Sequence, residues 1–401
     1  MTMPDQPKLG YRLIDADNHY YEPYDCFTRH LQPAFADRSV HVVKDGRGLG
    51  RLYFGQRKLG FMRVIQSDYT GAPGSLHELF AGEMEHGFAQ TEVINAHDFP
   101  AMMHKAPRLQ LMDEQGLEAT LMFPTVAVAV EHELHDDVDA CYANLRAFNK
   151  WIEEDWGYGA DGRVFGAPML SLLSPEHAVA ELDRVLAVGA NMVHVKAGPA
   201  YGRSPADPAY DPFWARLNEA GLPVAIHSGD SGYNELWSVQ WGEQPRPPLQ
   251  FMTPFQWYLG YGDKPISDML ANLILNNLFG RFPRLRMLSI ENGSAWVPGL
   301  LQGMDKAAKV GRRGTPVGGH VQDVPSEVFR QHVWVSPYFE EDPVTLSELI
   351  GVDRVLFGSD WPHSEGIANP VDFAEKLTAL GDDGTRKVMR SNVAELIGLP
   401  G

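Results

Sequence analysis

Two side chains of the kind that bind metal ions alternate near the start of the chain, in the stretch IDADNHYYEP. Only Asn18 separates Asp17 from His19, so in a β-strand both side chains point to the same side. A mixed carboxylate and imidazole pair suits Zn²⁺, Mn²⁺ or Fe²⁺ better than Ca²⁺. Alone, the stretch is equally typical of a polar strand end, so its chemistry depends on what lies nearby.

Other short apolar runs also end in ionisable residues, and these are His194 with Lys196, His227, Glu291, and Asp360 followed by His363. Each residue alone is more typical of a hydrogen-bonded structural side chain or a helix cap. Together they would place several charges in one buried region, which is costly unless a cation compensates them. The set therefore favours a metal site. We expect His194, by contrast, to pack on the wall formed by the strands.

Eight apolar runs predict the strands that must position these residues: Arg12–Asp17, Ala119–Pro124, Val164–Leu172, Asn191–Lys196, Pro223–His227, Leu285–Ile290, His332–Pro337 and Arg354–Gly358. Helical segments lie between most of them, among them Asp136–Asp155, Ser174–Val188, Asp211–Ala220, Ile266–Phe279 and Asn369–Leu380. This alternation predicts an α/β fold, a parallel (β/α)8 TIM-type barrel, ahead of a doubly wound open sheet. The carboxyl ends of barrel strands meet at one face, where the ionisable residues would converge.

We expect a single barrel domain over residues 1–401, because α/β barrels often exceed the usual length of one domain. The connection after the first strand, residues 24–103, is far longer than an ordinary βα loop. It predicts an insertion that caps the barrel mouth and contains a strand at Arg51–Phe54. A second long loop, residues 230–264, is rich in aromatic residues and proline, which suits an apolar pocket wall or an oligomer contact.

The composition excludes several classes of protein. A formal net charge of -18 disfavours nucleic acid and anionic membranes as partners. The two cysteines, Cys26 and Cys141, are isolated, so neither a disulfide framework nor a thiolate zinc site is expected. No signal-peptide core and no apolar run of transmembrane length is present, and we therefore expect a cytoplasmic protein.

The strand-end motifs resemble those of the amidohydrolase superfamily, specifically the amidohydrolase-2 group that includes aminocarboxymuconate semialdehyde decarboxylase. The resemblance rests on IDADNHYYEP, AIHSGDSGY, SIENGSAWVP and FGSDWPH, and it covers essentially the whole barrel. It implies an enzyme that acts on a small molecule and binds one divalent ion, zinc ahead of manganese or iron. A homodimer is the assembly that the resemblance favours.

The resemblance also implies which residues bind the ion, namely Asp17, His19, His227 and Asp360. Asp17 stands where the family often has a histidine, and Glu291 stands where decarboxylating relatives have one. Glu291 could be a metal ligand or a general base toward water. Because the histidine is replaced, hydrolysis is favoured over decarboxylation.

Three further residues are expected to contact the substrate or to support the ligands. Glu22 could accept a hydrogen bond from a ligand imidazole, a common arrangement around metal sites, or could be a plain turn residue. Lys196 could contact a substrate carboxylate or phosphate, or form a buried ion pair, and is disfavoured as a carbamylated bridge between two ions. His363 could touch the substrate or support the ligands.

The leading functional prediction is a metal-dependent hydrolase that activates water and cleaves an amide, ester, lactone or thioester. Asp360 or Glu291 would take the proton, and the substrate would be a bulky, partly apolar small molecule. The alternative is a metal-dependent, non-oxidative decarboxylase of an aromatic or unsaturated carboxylic acid. A third possibility, from another class, is a catalytically inactive barrel used for binding.

Overall fold

The computed structural model describes residues 9–82 and 92–400 of the 401-residue chain. In these ranges the strands are β1 (Leu13–Tyr20), β2 (Val40–Lys44), β3 (Gly50–Phe54), β4 (Arg57–Lys58), β5 (Thr70–Gly71), β6 (Val93–Ile94), β7 (Leu117–Pro124), β8 (Val164–Gly166), β9 (Met169–Leu170), β10 (Val193–Val195), β11 (Pro223–His227), β12 (Arg286–Ile290) and β13 (Val333–Val335).

The α-helices in the same ranges are His77–Phe80, Pro100–Met103, Lys105–Glu114, Ala127–Glu133, Val138–Asp155, Pro175–Ala187, Asp211–Ala220, Tyr233–Leu236, Pro254–Gly260, Asp263–Leu275, Leu278–Arg281, Val297–Val310, Pro325–His332, Pro343–Ile350, Gly381–Arg386 and Asn392–Ile397. The 3₁₀ helices are Pro33–Arg38, Ala96–Asp98, Pro208–Tyr210, Ser238–Trp241, Leu249–Phe251, Val352–Arg354 and Pro370–Leu380, and Lys387–Ser391 is a π-helix. None of these helices is long and apolar enough to cross a membrane.

Two parallel sheets, with strand orders β1-β7-β8 and β9-β10-β11-β12-β13, form the core of the fold. They join where the predicted strand Val164–Leu172 divides into β8, which pairs with β7, and β9, which pairs with β10. Backbone hydrogen bonds continue across the break, because Ala167 N donates to Met122 O at 2.9 Å and His194 N donates to Pro168 O at 2.9 Å. The third strand position is therefore continuous around the ring.

The other junction is the eighth strand position, and here the predicted strand Arg354–Gly358 is wrong in detail. The segment pairs on both sides through single contacts: Leu356 N donates to Val335 O at 2.9 Å, and Ala16 N donates to Phe357 O at 2.8 Å. Directly after this segment, the buried Asp15 carboxylate, rather than a ladder carbonyl, accepts from Ser359 N at 2.9 Å. With this segment the ring of eight closes, as the predicted (β/α)8 barrel requires.

Two predicted helices also differ from the structure. The segment Ile266–Phe279 forms two helices, because Asn277 has a left-handed backbone with a φ of 58°, which ends an α-helix. The segment Asn369–Leu380 is a 3₁₀ helix rather than an α-helix. Both differences lie outside the strand ends that carry the ionisable residues.

The insertion after β1 builds its own small sheets beside the barrel. Strands β2, β3 and β4 form an antiparallel sheet and β5 pairs with β6, so the strand predicted at Arg51–Phe54 is β3. Residues 83–91 of this predicted insertion lie outside the described residues. Phe61, Met62 and Phe80 of the insertion line the cavity at the barrel mouth.

A buried guanidinium fixes the strand that carries Asp17 and His19. Arg108 is 1% exposed and donates to His19 O at 2.8 Å, to Ala101 O at 2.6 Å and to the side-chain oxygen of Asn18. Its guanidinium carbon lies 4.1 Å from the centroid of the Trp361 ring. Burial lowers the pKa of Arg108 to about 9, so the group stays protonated at neutral pH.

We expect Arg108→Met to lower the free energy of unfolding by about 3 kcal/mol, because two buried acceptors and one partly buried acceptor lose their donor. Urea unfolding followed by circular dichroism measures this loss. Arg312→Met is the matched control, since Arg312 is exposed and its loss should change stability by less than about 0.5 kcal/mol. Equal stability of the two variants would contradict the structural role given to Arg108.

Candidate metal centre

The ends of four strand positions bring five ionisable side chains to one point: Asp17 and His19 of β1, His227 of β11, Glu291 after β12, and Asp360 after the eighth position. His19 Nε2 lies 3.3 Å from Asp17 Oδ1, 3.5 Å from Glu291 Oε2 and 3.3 Å from Asp360 Oδ1. His227 Nε2 lies 3.1 Å from His19 Nε2 and 3.0 Å from Glu291 Oε2.

These separations fit ligands around a single ion. Ligand atoms about 2.1 Å from an ion lie about 3.0–3.4 Å from their neighbours in octahedral or tetrahedral arrangements. Oδ1 of Asp17, Oε2 of Glu291 and Oδ1 of Asp360 are buried, and none accepts a hydrogen bond from the described residues. Buried carboxylate oxygens without donors are costly, and a divalent cation would satisfy all three.

The candidate ligands form two overlapping groups rather than the single predicted set. The ligand atoms of Asp17, His19, His227 and Glu291 lie within 4.8 Å of one another. The ligand atoms of His19, Glu291, Asp360 and His363 satisfy the same limit. His19 and Glu291 belong to both groups, which makes Glu291 as central to the arrangement as any of the four predicted ligands.

The charges in this cluster depend strongly on one another. Burial raises the pKa of Asp360 well above its usual range, and the nearby Glu291 raises it further. Burial also opposes ionisation of Glu291, but His227 and His19 outweigh it and hold the pKa of Glu291 below its usual range. For His227, burial is outweighed by Glu291 and Asp17, so its pKa is raised well above the usual value. The cluster therefore needs positive charge, which protons or a cation can supply.

Two of the five residues have an uncommon backbone conformation. Glu291 and Asp360 have φ values of 53° and 55°, in the left-handed region that non-glycine residues rarely occupy. Such a conformation costs about 1 kcal/mol or more at each position, and it is concentrated at functional sites. Asp360 is held there by hydrogen bonds from its N to Asp17 O and from His363 N to its own O, both 2.9 Å long.

Asp15 is a supporting residue that the sequence analysis missed. Its buried carboxylate accepts from Ser359 N at 2.9 Å, Ser359 Oγ at 2.5 Å, Asn18 Nδ2 at 3.0 Å and Asp17 N at 3.1 Å. Burial raises the pKa of Asp15 to about 6, against the effect of these donors. The carboxylate thus fixes β1 to the segment that carries Asp360. The available signal in the sequence was its position two residues before Asp17, because alternate residues of a strand point to the same side.

Glu22 was expected either to bind a ligand imidazole or to be a plain turn residue, and it does not bind an imidazole. Its Oε1 accepts instead from the backbone N atoms of Thr125, Val126 and Ala127, at 3.0, 2.8 and 3.2 Å, where a helix begins. Three convergent backbone donors satisfy a carboxylate better than one imidazole would. His19 Nδ1 lies 3.2 Å from Pro124 O, so Glu22 supports the ligand only through the segment that it holds.

Lys196 lies outside the cavity lining and away from the ligand cluster. Its Nζ donates to Ala197 O at 3.3 Å and Ser231 O at 3.4 Å, and it lies 4.9 Å from the Tyr201 ring centroid. His194 packs against the barrel wall, with its ring centroid 6.4 Å from that of Phe123. Burial lowers the pKa of His194 to about 3, so this ring is neutral.

His363 lies against Asp360, and its hydrogen bonds determine its tautomer. Thr125 Oγ1 donates its one proton to Tyr20 O at 2.8 Å, so it must accept from His363 Nε2 at 3.0 Å. In the neutral ring, Nδ1 of His363 then carries no proton. This Nδ1 lies 2.7 Å from Asp360 Oδ1, a separation that needs a shared proton or cation.

The cluster lies at the floor of a cavity of about 390 Å³, a size typical of small-molecule sites. The walls include Phe61, Trp257, Tyr261, Tyr338 and Phe339. Part of the aromatic loop at residues 230–264 thus forms a pocket wall, one of its two predicted roles. Trp241 in the same loop is 75% exposed and does not line the cavity.

Comparisons with known proteins agree with this architecture. The amidohydrolase family model matches residues 14–399. A crystal structure of an amidohydrolase from Mycobacterium avium subsp. paratuberculosis K-10 is 40% identical in sequence and has a TM-score of 0.89, covering 97% of this chain and 99% of that chain. A (β/α)8 barrel of the amidohydrolase type is therefore the fold of the chain.

Two relatives of known activity are more distant. Gamma-resorcylate decarboxylase from Rhizobium sp. (strain MTP-10005) is 27% identical over 313 residues, which cover 73% of this chain and 87% of the relative. The crystal structure of 5-carboxyvanillate decarboxylase from Novosphingobium aromaticivorans DSM 12444 contains manganese and 4-hydroxy-3-methoxy-5-nitrobenzoic acid. It is 15% identical, with a TM-score of 0.58 and coverage of 98% of this chain and 97% of that one, and this likeness supports the fold alone.

Gly358 lies against Asp17 and leaves no space for a side chain. A Cβ at this position would lie 2.6 Å from Asp17 Cβ and 2.7 Å from Ser336 Oγ. We expect Gly358→Ala to displace Asp17 and to weaken binding of a divalent ion about 10- to 100-fold. Titration of the metal-free protein with Mn²⁺, followed by calorimetry, measures the change.

Gly60→Ala is the matched control, because a Cβ there has nothing within 4 Å. This variant should bind Mn²⁺ as the unchanged protein does. Melting temperatures of both variants separate loss of the fold from loss of the ion. Unchanged Mn²⁺ affinity in a folded Gly358→Ala protein would contradict the placement of Asp17 at the centre.

Proposed function

This chain belongs to the amidohydrolase-2 family, and we propose that it is a metal-dependent, non-oxidative decarboxylase of an aromatic carboxylic acid. The observation that carries the proposal is the convergence of five ionisable side chains, with three unpaired carboxylate oxygens, on the floor of an aromatic-walled cavity. The decarboxylating relatives favour this reaction over the hydrolysis that leads the sequence-based expectation.

We propose that one divalent ion is held by Asp17, His19, His227 and Asp360, with Glu291 as a fifth ligand. Three carboxylates and two imidazoles form a donor set richer in oxygen than most zinc sites, and oxygen ligands suit manganese. Manganese in the 5-carboxyvanillate decarboxylase supports the same choice over the zinc expected from sequence. When bound, the ion would neutralise the carboxylates and draw electron density from a substrate oxygen.

Asp360 is the residue that we assign to proton transfer. The carboxyl group of Asp360 approaches Nδ1 of His363 to 2.7 Å, and we assign to this contact the proton that the reaction uses. Asp360 gives this proton to the ring carbon that bears the carboxylate, and a C–H bond forms. The bond from that carbon to the carboxylate then breaks, its electron pair returns to the ring, and CO₂ leaves. His363 orients Asp360 and is itself held by Thr125.

Hydrolysis is the second candidate because of Glu291. This carboxylate replaces the histidine of decarboxylating relatives and lies 3.0 Å from His227 Nε2. With Asp360 it offers two carboxyl groups that could accept a proton from water. The walls of the cavity would then bind an ester or amide with an aromatic part. The two reactions differ in product, so one assay separates them.

We expect the protein reconstituted with Mn²⁺ to release CO₂ from gamma-resorcylate or another hydroxybenzoic acid, with formation of the corresponding phenol. Asp360→Asn should lower kcat by about 100-fold or more, because the proton donor is removed. Liquid chromatography of the phenol and an enzyme-coupled assay of CO₂ measure both products.

Asp183→Asn is the control for the loss of one carboxylate, since Asp183 lies in an exposed ion pair with Arg216 and its removal should leave kcat unchanged. Turnover of aryl esters without CO₂ release from any acid would replace the decarboxylase proposal with hydrolysis. An Asp360→Asn protein with full activity would contradict the role of Asp360 in either reaction.

A further inference from the structure

The cavity above the metal centre is lined by aromatic and apolar groups that can hold a planar ring. Phe61, Trp257, Tyr261, Tyr338 and Phe339 contribute to its wall. Surfaces of this kind bind aromatic rings through apolar contact and edge or face packing. They offer little to a second charged substituent on the ring, so the few charged residues of the lining determine which substituents fit.

The lining contains no lysine or arginine among residues 9–82 and 92–400. Its charged groups outside the metal centre are Asp263, Glu340 and Glu365, and its histidines all belong to the centre. No lysine or arginine nitrogen of the described part of the chain lies within 4.0 Å of these three carboxylates. The segment at residues 83–91, EMEHGFAQT, also contains no lysine or arginine in its sequence.

The nearby cations are engaged elsewhere. Lys376 Nζ lies 4.8 Å from the Phe339 ring centroid, and Lys376 does not line the cavity. Lys196 donates to backbone carbonyl oxygens. Arg57 and Arg246 both pair with Glu133, at 2.8 and 3.4 Å. None of these four residues lines the cavity.

Asp263 and Glu365 are half-buried, whereas Glu340 is exposed at the rim. Charge interactions are stronger where water is partly excluded, so the first two carboxylates act most strongly on a bound ring. A second carboxylate on the substrate would lose its hydration, meet two like charges and find no cationic partner. An uncharged hydrogen, methoxy or hydroxyl substituent would lose far less.

We propose that this cavity accepts aromatic acids that carry a single carboxylate and rejects those that carry a second one, and that Asp263 and Glu365 determine this selectivity. The proposal rests on the proposed decarboxylase function. Gamma-resorcylate has one carboxylate on its ring, whereas 5-carboxyvanillate has two. By this proposal the chain resembles gamma-resorcylate decarboxylase in taking a substrate with one carboxylate. It differs in this respect from 5-carboxyvanillate decarboxylase, although it shares its fold with both relatives.

The test compares two nitrophenols that differ by one carboxylate. 4-Hydroxy-3-methoxy-5-nitrobenzoic acid is the molecule bound in the 5-carboxyvanillate decarboxylase structure. 2-Methoxy-6-nitrophenol is the same ring without the carboxylate. In both probes the nitro group takes the place of the reacting carboxylate at the metal centre, so the carboxylate of the acid stands for the second carboxylate of a substrate. We expect the Mn²⁺-loaded protein to bind the phenol at least about tenfold more tightly than the acid, as measured by calorimetry.

The variants Asp263→Asn and Glu365→Gln, separately and together, identify the cause of this preference. Each removes one negative charge with little change of shape, so the double variant should reduce the ratio of the two dissociation constants to about threefold or less, mostly by tighter binding of the acid. Glu219→Gln is the matched control, because Glu219 is exposed on the helix Asp211–Ala220 and lies outside the cavity lining. It should leave the ratio unchanged.

The outcomes separate the two proposals. Equal binding of the probes, or tighter binding of the acid, overturns the selectivity and leaves the decarboxylase proposal intact. A preference that persists in the double variant overturns the assignment to Asp263 and Glu365. Failure of both probes to bind, together with no CO₂ release from any hydroxybenzoic acid, overturns the decarboxylase proposal and the selectivity with it.

Discussion

The structure depends on how three carboxylates and two imidazoles are kept at one point, where neighbouring ligand atoms lie 3.0–3.5 Å apart. Like charges this close repel strongly in a partly dry interior. Proteins hold such groups together only when a counter-charge and a rigid frame are both present. In this chain the proposed ion would supply the charge. The frame is built from the ends of four strand positions, so the backbone at four different parts of the barrel fixes the five side chains.

The frame uses a second layer of buried polar groups, Asp15, Arg108 and Glu22, which do not line the cavity. Asp15 binds the backbone and hydroxyl of Ser359, and Arg108 binds the backbone of the strand that carries His19. Glu22 binds the backbone of Thr125, two residues before the helix Ala127–Glu133, and Thr125 in turn holds His363. These contacts fix the ligands through main-chain positions. A small change in one of these contacts would therefore move the reacting side chains without altering their chemistry.

The fold and most of the candidate centre could be predicted from the sequence because one regular rule applies to both. Strands covered on both faces are continuous apolar runs, and a charged residue directly after such a run, as at His227 or Asp360, stands out clearly. Asp15 was missed because one more polar residue in a polar strand start has no distinct pattern. Arg108 was missed because the sequence of its helix does not indicate which residues of other elements the guanidinium contacts. Glu22 and Lys196 were assigned partners by type, whereas loop geometry decided their actual contacts.

A small set of hydrogen bonds closes the eighth position of the barrel, and this has a consequence for folding. Asp15 and Ser359, which join the two sides of that junction, are 344 positions apart in sequence. The entropy lost in closing a loop grows with its length, so contacts of such separation are unfavourable until the intervening structure has formed. No partial barrel brings Asp360 to Asp17. The complete ligand set therefore forms only when the barrel closes. Partly folded forms of the chain lack it.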